Sequence, residues 1–221
     1  MRATPPRIGA WPRAPTTSTA ASRSLASRSS VSATELDTER GIVRVPTGTW
    51  TVDPAHSSVE FRIKHMMIST VRGHFSSFDG RLEADEDPER SQVTGWVDVA
   101  SINTGSPDRD AHLRSPDFFD AERHPRMTFE STRIQWVEGG TYRVWGDLTI
   151  KDVTREVEVE ATVQGVGEDP WGNERVGVAI RGSIDRTEFG LTWQQPLAKG
   201  GLLVGEEVKL LVDASAVLDP E

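Results

Sequence analysis

Five histidines have the widest chemical repertoire of any residues in this sequence, because imidazole can ligate a metal ion or move a proton near neutral pH. They are His56, His65, His74, His112 and His124. No two of them have the compact helical spacing of a zincin motif, and the sequence has no cysteine that could complete a ligand set. We therefore expect no metal site, and we expect His56, which follows Asp53 and Pro54, to have a structural role.

The motifs that carry common enzyme chemistry are absent from the sequence. There is no G-x-S-x-G nucleophile elbow for a Ser-His-acid triad, no Walker loop and no dinucleotide fingerprint. The acidic run Glu83-Ala84-Asp85-Glu86-Asp87 precedes a proline and is typical of a solvated turn. The sequence therefore predicts neither catalysis nor a cofactor.

Charge is distributed unevenly along the chain. The formal net charge is −9, yet residues 1–44 hold seven arginines and only three acidic residues, so the remainder is strongly acidic. An acidic body repels phosphate backbones, and no basic stripe is apparent in the sequence, so we expect no nucleic-acid partner. No run of 18 or more apolar residues occurs, which predicts no transmembrane segment.

Residues 1–44 differ in composition from the remainder. Arg, Ser, Thr, Ala and Pro dominate them, and such a segment cannot bury enough apolar surface to become ordered. We expect a disordered extension at 1–44 and a folded domain at 45–221, with a transit peptide or an upstream start codon as alternative explanations of the extension. The stretch from Ala14 to Ala33 lacks the apolar core of a secretory signal, which favours a cytoplasmic location but leaves export open.

Alternation of apolar and polar residues dominates the sequence from Thr49 onward. In Thr141–Ile150, Val144 and Leu148 share one face while charged and hydroxyl side chains occupy the other. About eight segments alternate in this way, among them Val157–Val163, Val176–Ile184 and Val208–Ala214. The predicted turns between segments include Asp79-Gly80, Glu138-Gly139-Gly140 and Asp169-Pro170-Trp171-Gly172-Asn173. The pattern predicts an all-β fold of antiparallel strands, either a barrel or a sandwich.

One segment departs from this alternation. Ser106-Pro107-Asp108 and Ser115-Pro116-Asp117 each resemble a helix N-cap followed by proline at the first helical position. We therefore predict short helical turns at 107–114 and 116–122, with the insertion ending at Pro125.

Several motifs resemble the YceI-like, polyisoprenoid-binding family, and they are collinear with it. The opening motif is Asp-Pro-Ala-His-Ser-Ser-Val-Glu-Phe at 53–61, followed by His65. Further motifs are Val71–Phe75, Phe78–Gly80, Asp110–Ala121, Pro125–Phe129, Gly146–Thr154, Ile184–Leu191 and Glu207–Leu218. The resemblance spans residues 49–218, with one departure at Asp152, where the family usually has glycine.

The resemblance implies a lipocalin-like, eight-stranded antiparallel β-barrel with a short helical insertion. It also implies an elongated apolar pore that holds an isoprenoid quinone, a polyprenyl chain or a fatty-acid-like lipid, in a protein that is often a homodimer. The implied function is non-catalytic binding, sequestration or transport of a long-chain lipid. Small inward residues such as Gly95, Gly146, Ala161 and Gly182 favour a bore, because a barrel of this size has room only for packed side chains or one slender ligand.

The candidate ligand-binding residues are inward-facing apolar side chains and two histidines. They are Phe61, Ile63, His65, Phe75, Val97, His112, Leu113, Phe118, Phe119, Phe129, Val144, Leu148, Phe189 and Leu191. His65 and His112 are expected to meet a quinone or carboxyl head group. Phe118 and Phe119 would point to different faces, so that either one of them closes the barrel mouth or both form a permanent plug. The same alternating residues could also fill a solid core, and only the family resemblance favours an open bore.

The sequence leaves two other functions open. The first is a stress-related interaction module with a solid barrel, in which rim loops such as the one that begins at Trp193 bind a protein partner. The second is an enzyme that uses His65 or His112 beside a bound lipid. A continuous interior cavity argues against the first, and bound lipid recovered chemically unchanged argues against the second.

Overall fold

The computed structural model describes residues 36–37, 42–197 and 200–220. Most of the segment expected to be a disordered extension, residues 1–44, lies outside the described residues. Within it, Leu36–Asp37 (β1) and Ile42–Val43 (β2) pair as antiparallel strands. The Val43 backbone N–H donates to the carbonyl of Gly139, and the Val43 carbonyl accepts from the Tyr142 hydroxyl, so Val43 contacts the larger sheet.

Strands make up most of the described chain, as the alternating sequence predicts. They are β3 (Gly48–Val52), β4 (Ser58–His65), β5 (Ser69–Phe75), β6 (Phe78–Ala84), β7 (Gln92–Asp98), β8 (Ile102–Asn103), β9 (Arg126–Glu138), β10 (Thr141–Ile150), β11 (Val153–Glu168), β12 (Glu174–Asp185) and β13 (Val204–Leu218). The one α-helix in the described residues is α1 (Pro107–Arg114), and short 3-10 helices lie at Pro54–His56, Pro88–Arg90, Val99–Ser101 and Arg186–Phe189.

Eight of the strands close into an antiparallel barrel. Their order around it is β3, β6, β7, β9, β10, β11, β12 and β13, and β13 pairs with β3 to complete the ring. Closure gives every strand in the ring a hydrogen-bonded neighbour on both sides and turns one face of each toward the interior. The prediction of an eight-stranded barrel with a short helical insertion is confirmed.

Strand β13 spans both ends of the barrel, and along one of its edges it pairs first with one strand and then with another. Ala216–Leu218 pair with β3, whereas Val204–Asp213 pair with β4. The 3-10 turn at Pro54–His56 separates these two partners, and β4 continues outward to β5 and then β8. The barrel therefore has a β3 end, at the C-terminal end of β13, and a β4 end, at its N-terminal end.

The β3 end of the barrel is closed by packed side chains. Trp50 is completely buried there among Ala84, Val176 and Ala216. Its indole N–H donates to the carbonyl of Pro46 at 2.9 Å, so the one polar atom of this side chain keeps a partner when it leaves water.

The predicted helical insertion is present in its first half only. Helix α1 covers 107–114 as predicted, and Arg114 ties it to the sheet by donating to the carbonyls of Ala100 and Ile102. The predicted helical turn at 116–122 is wrong. That segment is a series of turns whose amides bond back to Ser115 and to the end of α1, because its first donors reach the open carbonyls of the helix C-terminus.

The predicted turns are confirmed in two places and wrong in one. Glu138–Gly140 and Asp169–Asn173 connect neighbouring strands, with Gly139 and Gly172 at positive φ. Asp79-Gly80 instead lies inside β6, where Gly80 faces Gly95 of β7. Glycine there allows the backbones of two strands to approach closely rather than to turn.

A three-residue charge network ties the β3 end together. Arg175 at the start of β12 donates to Asp53 and to Asp169, each at 2.8 Å. Arg175 and then His56 lower the pKa of Asp53 to about 2, and hydrogen bonds from Asn173 and Arg175 hold the pKa of Asp169 well below its usual range. His56 bonds Asp53 at 2.7 Å, which is the structural role expected of it.

Replacing Arg175 with glutamine is expected to lower the free energy of unfolding at neutral pH, because two carboxylates lose their charged donor. The pKa of Asp53 lies below its ordinary value of 3.8, so its contribution is complete above that value and is lost as the pH falls toward about 2. The difference between wild type and variant should therefore shrink across this range. Urea unfolding at a series of pH values measures it, and a difference that stays constant into strong acid would contradict this account.

Candidate ligand-binding cavity

The barrel encloses two adjoining cavities. The inner cavity, toward the β3 end, has a volume of about 310 Å³, and the outer cavity, at the β4 end, has a volume of about 410 Å³. Each volume lies within the range of natural small-molecule pockets. Six residues line both cavities, namely Phe61, Phe75, Met127, Ile150, Ile184 and Leu210. We call this shared ring of side chains the waist.

Strand alternation builds the apolar wall of the inner cavity. On β11, Val157, Val159 and Ala161 face the cavity, while the glutamates between them are exposed. The same rule brings in alternate residues of three more strands, namely Val144, Leu148 and Ile150 of β10, Val176, Val178, Ile180 and Ile184 of β12, and Leu210, Val212, Ala214 and Ala216 of β13. A two-residue period thus turns an ordinary amphipathic sequence into a continuous apolar lining.

Two phenylalanine rings are held against the wall by glycines on neighbouring strands. The ring of Phe61 lies over Gly73, where an added Cβ would stand 2.3 Å from the ring. The ring of Phe129 lies over Gly146 in the same way, at 2.4 Å. Real Cβ atoms do not approach so closely, so any larger residue would push the ring away from the wall. The two glycines therefore keep two large side chains out of the centre of the barrel.

Two of the six waist residues, Phe61 and Phe75, are aromatic. The Phe61 and Phe75 rings lie 5.8 Å apart between centroids, and Phe119 meets Phe75 edge to face at 6.4 Å. Such tilted and edge contacts are favourable for aromatic quadrupoles. Phe61 and Phe75 therefore stand at the boundary between the two cavities.

A cover of three segments lies over the outer cavity. His112 of α1 packs edge to face on both Phe118 and Trp193, with ring centroids 5.1 and 4.9 Å apart. Asp117 bonds the Nε2 atom of His112 at 3.0 Å. Phe118 and Phe119 do point to different partners, since Phe118 joins this cover and Phe119 reaches the waist. The cover therefore rests on side-chain contacts between α1, the turns that follow it and the loop after Leu191.

Arg186 fastens that loop to β13 from the inside. It is 3% exposed, lines the outer cavity, and donates only to backbone carbonyls. The acceptors belong to Leu191, Trp193, Val204 and Gly205. Burial lowers the pKa of Arg186, while the nearby charges of Glu206 and Asp185 oppose that shift. Gln194 adds two hydrogen bonds to the backbone of Val204. The side chains of Arg186 and Gln194 therefore both join the start of the loop to the start of β13.

The predicted site residues lie around these cavities with one exception. Val97, Phe129, Val144 and Leu148 line the inner cavity, Phe61 and Phe75 line both, and Ile63, His65, His112, Leu113, Phe118, Phe119 and Leu191 line the outer cavity. Phe189 lines neither, because it is 1% exposed in a cluster with Ile150 and Leu191 behind the wall. The 3-10 helix at Arg186–Phe189 interrupts the strand alternation that pointed this ring inward.

Other lining residues were not among the predicted ones. Ile184 and Leu210 lie in alternating segments whose inward faces the sequence already indicated, so the signal was present. Met127, Arg186 and Trp193 had no such signal. Met127 and Arg186 lie beside a strand end and Trp193 lies in a loop, so their directions depend on the tertiary fold.

Two kinds of feature are absent from the described part of the chain. Within it, no group of three or more His, Cys, Asp or Glu residues is arranged to hold a metal ion. Nor does any helix there have the length and apolar character needed to cross a bilayer.

The sequence matches one protein family and is similar to known proteins of Staphylococcus aureus. The YceI-like domain family matches residues 50–216. A UPF0312 protein of Staphylococcus aureus strain N315 is 39% identical over 169 residues, which cover 76% of this chain and 95% of that protein. The corresponding protein of the bovine strain RF122 is 38% identical over the same shares.

Solved structures with the same fold include three that cover most of the described chain. BcnA of Burkholderia cenocepacia has a TM-score of 0.65 and 27% identity, over 74% of this chain and 98% of that one. The YCEI protein of Campylobacter jejuni has a TM-score of 0.61 and 27% identity, over 72% and 91%. A polyisoprenoid binding domain from Saccharophagus degradans has a TM-score of 0.59 over 77% and 98%, and at 14% identity it shares the fold alone.

The closed eight-stranded sheet and its apolar interior define a lipocalin-like β-barrel with an internal pocket. Within that class, the match over residues 50–216 shows that the chain belongs to the YceI-like family.

Proposed function

We propose that this protein binds one long-chain lipid, a polyisoprenoid or a similar hydrocarbon chain, inside the barrel and carries or sequesters it without chemical change. The pair of adjoining apolar cavities is the observation that carries this proposal. Only vacant apolar volume can shelter a hydrocarbon tail from water, and a solid barrel would offer none. The polyisoprenoid described for the Saccharophagus domain suits a bore of this shape.

The energetics of tail burial are sufficient without a strong polar anchor. Each buried methylene contributes about 0.8 kcal/mol, so ten of them would supply about 8 kcal/mol before entropic costs. The tail would pass the waist and end in the inner cavity, which Trp50 and its neighbours close off at the β3 end. The head group would remain in the outer cavity, where His65 and His112 are the proposed polar contacts.

Recovery of the ligand tests this proposal. Protein purified without detergent and extracted with organic solvent is expected to release about one long-chain lipid per barrel, identified by mass spectrometry. Lipid-free protein is expected to take up polyprenyl probes. A lipid-free extract together with no uptake of probes would contradict the proposal.

The proposal that the lipid is left chemically unchanged is tested separately. Bound lipid incubated with the protein for days is expected to keep its mass and its chromatographic position. Turnover that disappears when His65 or His112 is replaced would identify an enzyme instead. The homodimer and the cytoplasmic location stay predictions, which sedimentation analysis and cell fractionation can test.

A further inference from the structure

Four cations form a patch on the outer face of the sheet at the β4 end. Arg62 of β4 lies directly opposite Arg72 of β5 on one side and Lys209 of β13 on the other, and Lys64 follows on the same face. We call Arg62, Lys64, Arg72 and Lys209 the cationic row. Like charges placed opposite each other on neighbouring strands destabilise a sheet, so this arrangement needs a compensating anion.

The cationic row has no such anion within the described part of the chain. No ion pair joins any of its four members to another described residue, although most arginines elsewhere on the barrel have carboxylate or aromatic partners. The Nε atom of Arg62 is buried and has no hydrogen-bond partner. The nearest acids along the same strands, Glu60 and Glu207, each lie two residues away. In a protein of net charge −9, four unpaired cations on one face are a specific feature.

An exposed apolar turn lies beside the cationic row. The β4–β5 turn consists of Met66, Met67 and Ile68, of which Met67 is 65% and Ile68 is 80% exposed. Met66 and Met67 both have positive φ, an uncommon conformation for residues that are not glycine. The Met66 amide donates to Leu203, which brings exposed Leu202 next to the turn. We call these four residues, Met66, Met67, Ile68 and Leu202, the apolar tip.

The apolar tip and the cationic row border the outer cavity. Lys64, His65, Leu203 and Val204, which flank the tip along the chain, all line that cavity. Apolar side chains that insert just below a ring of Lys and Arg are the combination that binds an anionic bilayer surface. We propose that the tip and the row dock the protein on an anionic membrane with the outer cavity facing the bilayer. This goes beyond the proposed function, and its test does not depend on that function.

The charges disfavour a second copy of the chain as the occupant of this surface. A two-fold contact through the row would place cations against cations. Nucleic acid would use the cations but would leave the methionines and isoleucine in water, and the rest of the barrel surface would repel it. A lipid surface is the partner that satisfies both the charge and the apolar side chains.

Vesicle binding by the full chain tests the docking surface. Wild-type protein is expected to sediment with phosphatidylcholine vesicles that contain phosphatidylglycerol, not with phosphatidylcholine alone, and to be released at about 0.5 M salt. The variant Arg62→Gln, Arg72→Gln, Lys209→Gln should bind the anionic vesicles more weakly, by a factor of about 30 or more. The matched control Arg81→Gln, Arg133→Gln, Arg143→Gln removes equal charge from β6, β9 and β10, toward the β3 end, and should bind as wild type.

A fluorescent probe at the apolar tip gives a readout that does not depend on the charge variants. Because the sequence has no cysteine, Ile68→Cys carries a single label, and Trp171→Cys labels an exposed apolar position at the β3 end as the control. Emission at position 68 should shift to the blue on anionic vesicles, and emission at position 171 should not. The proposal would be overturned if wild type bound both vesicle types equally, or if the control triple lost as much binding as the row variant. A blue shift at position 171 alone would also overturn it, as would a dimer or a nucleic-acid complex that the row variant abolishes.

Discussion

The substitution Gly73→Val is expected to weaken the binding of long-chain lipids by about 100-fold while leaving the barrel folded. A Cβ at this position would stand 2.3 Å from the Phe61 ring and 2.9 Å from Thr104, so the ring must swing away from the wall. The open volume available to it is the waist, where it would separate the inner cavity from the outer one. A tail that loses about four methylenes of burial loses about 3 kcal/mol. Titration of a polyprenyl probe measures the effect.

A second substitution distinguishes a blocked waist from a damaged fold. Phe61→Leu in the Gly73→Val background removes the displaced ring and should restore most of the affinity. Short chains that fit within the outer cavity should bind the single variant almost as well as wild type. Valine suits a strand, and Gly73 does not have a positive φ, so the backbone itself allows the change. Full affinity for long chains in Gly73→Val would show that the tail does not pass Phe61.

The substitution Arg186→Met should lower the melting temperature by about 6–12 °C. It leaves four buried or half-buried backbone carbonyls without their donor, at a total cost of about 3 kcal/mol or more. The loop that covers the outer cavity would open first, because Arg186 holds both of its ends. Thermal unfolding measures the global loss, and amide hydrogen exchange over 191–205 measures the local one.

Matched controls separate the loss of these hydrogen bonds from the loss of charge. Arg155→Met removes a cation whose recorded hydrogen bond is to its own neighbour, Thr154, and should change stability by about 0.5 kcal/mol or less. Arg186→Lys keeps the charge but cannot reach four carbonyls, so it should resemble Arg186→Met in exchange rate. An unchanged melting temperature in Arg186→Met, or unchanged exchange in the loop, would contradict the role assigned to this residue.

The alternation predicted the strands and most of the inward-facing residues because both depend on a strictly local rule, whereas the choice of a barrel over a sandwich came from the family resemblance. Alternation in Thr141–Ile150 already determined that Val144 and Leu148 share a face, and closure of the sheet then made that face the interior. The rule failed where the chain leaves the strand geometry. Phe189 lies in a 3-10 helix, and the segment after Ser115 forms turns, so neither follows a fixed period.

Features that require two distant segments could not be predicted from the sequence. Phe61 over Gly73 depends on the register between β4 and β5, and the Arg186 contacts depend on the path of a loop. The cationic row contradicts the expectation that no basic stripe exists. Its members come from 62–72 and 209, and they become neighbours only when β13 pairs with β4.

A crystal structure of the protein loaded with a long polyprenyl lipid tests the central claim most directly. We expect one continuous chain of density from the outer cavity, between Phe61 and Phe75, into the inner cavity beneath Val212. A barrel whose interior is filled by its own side chains, with the lipid bound on the outer surface, would contradict the claim.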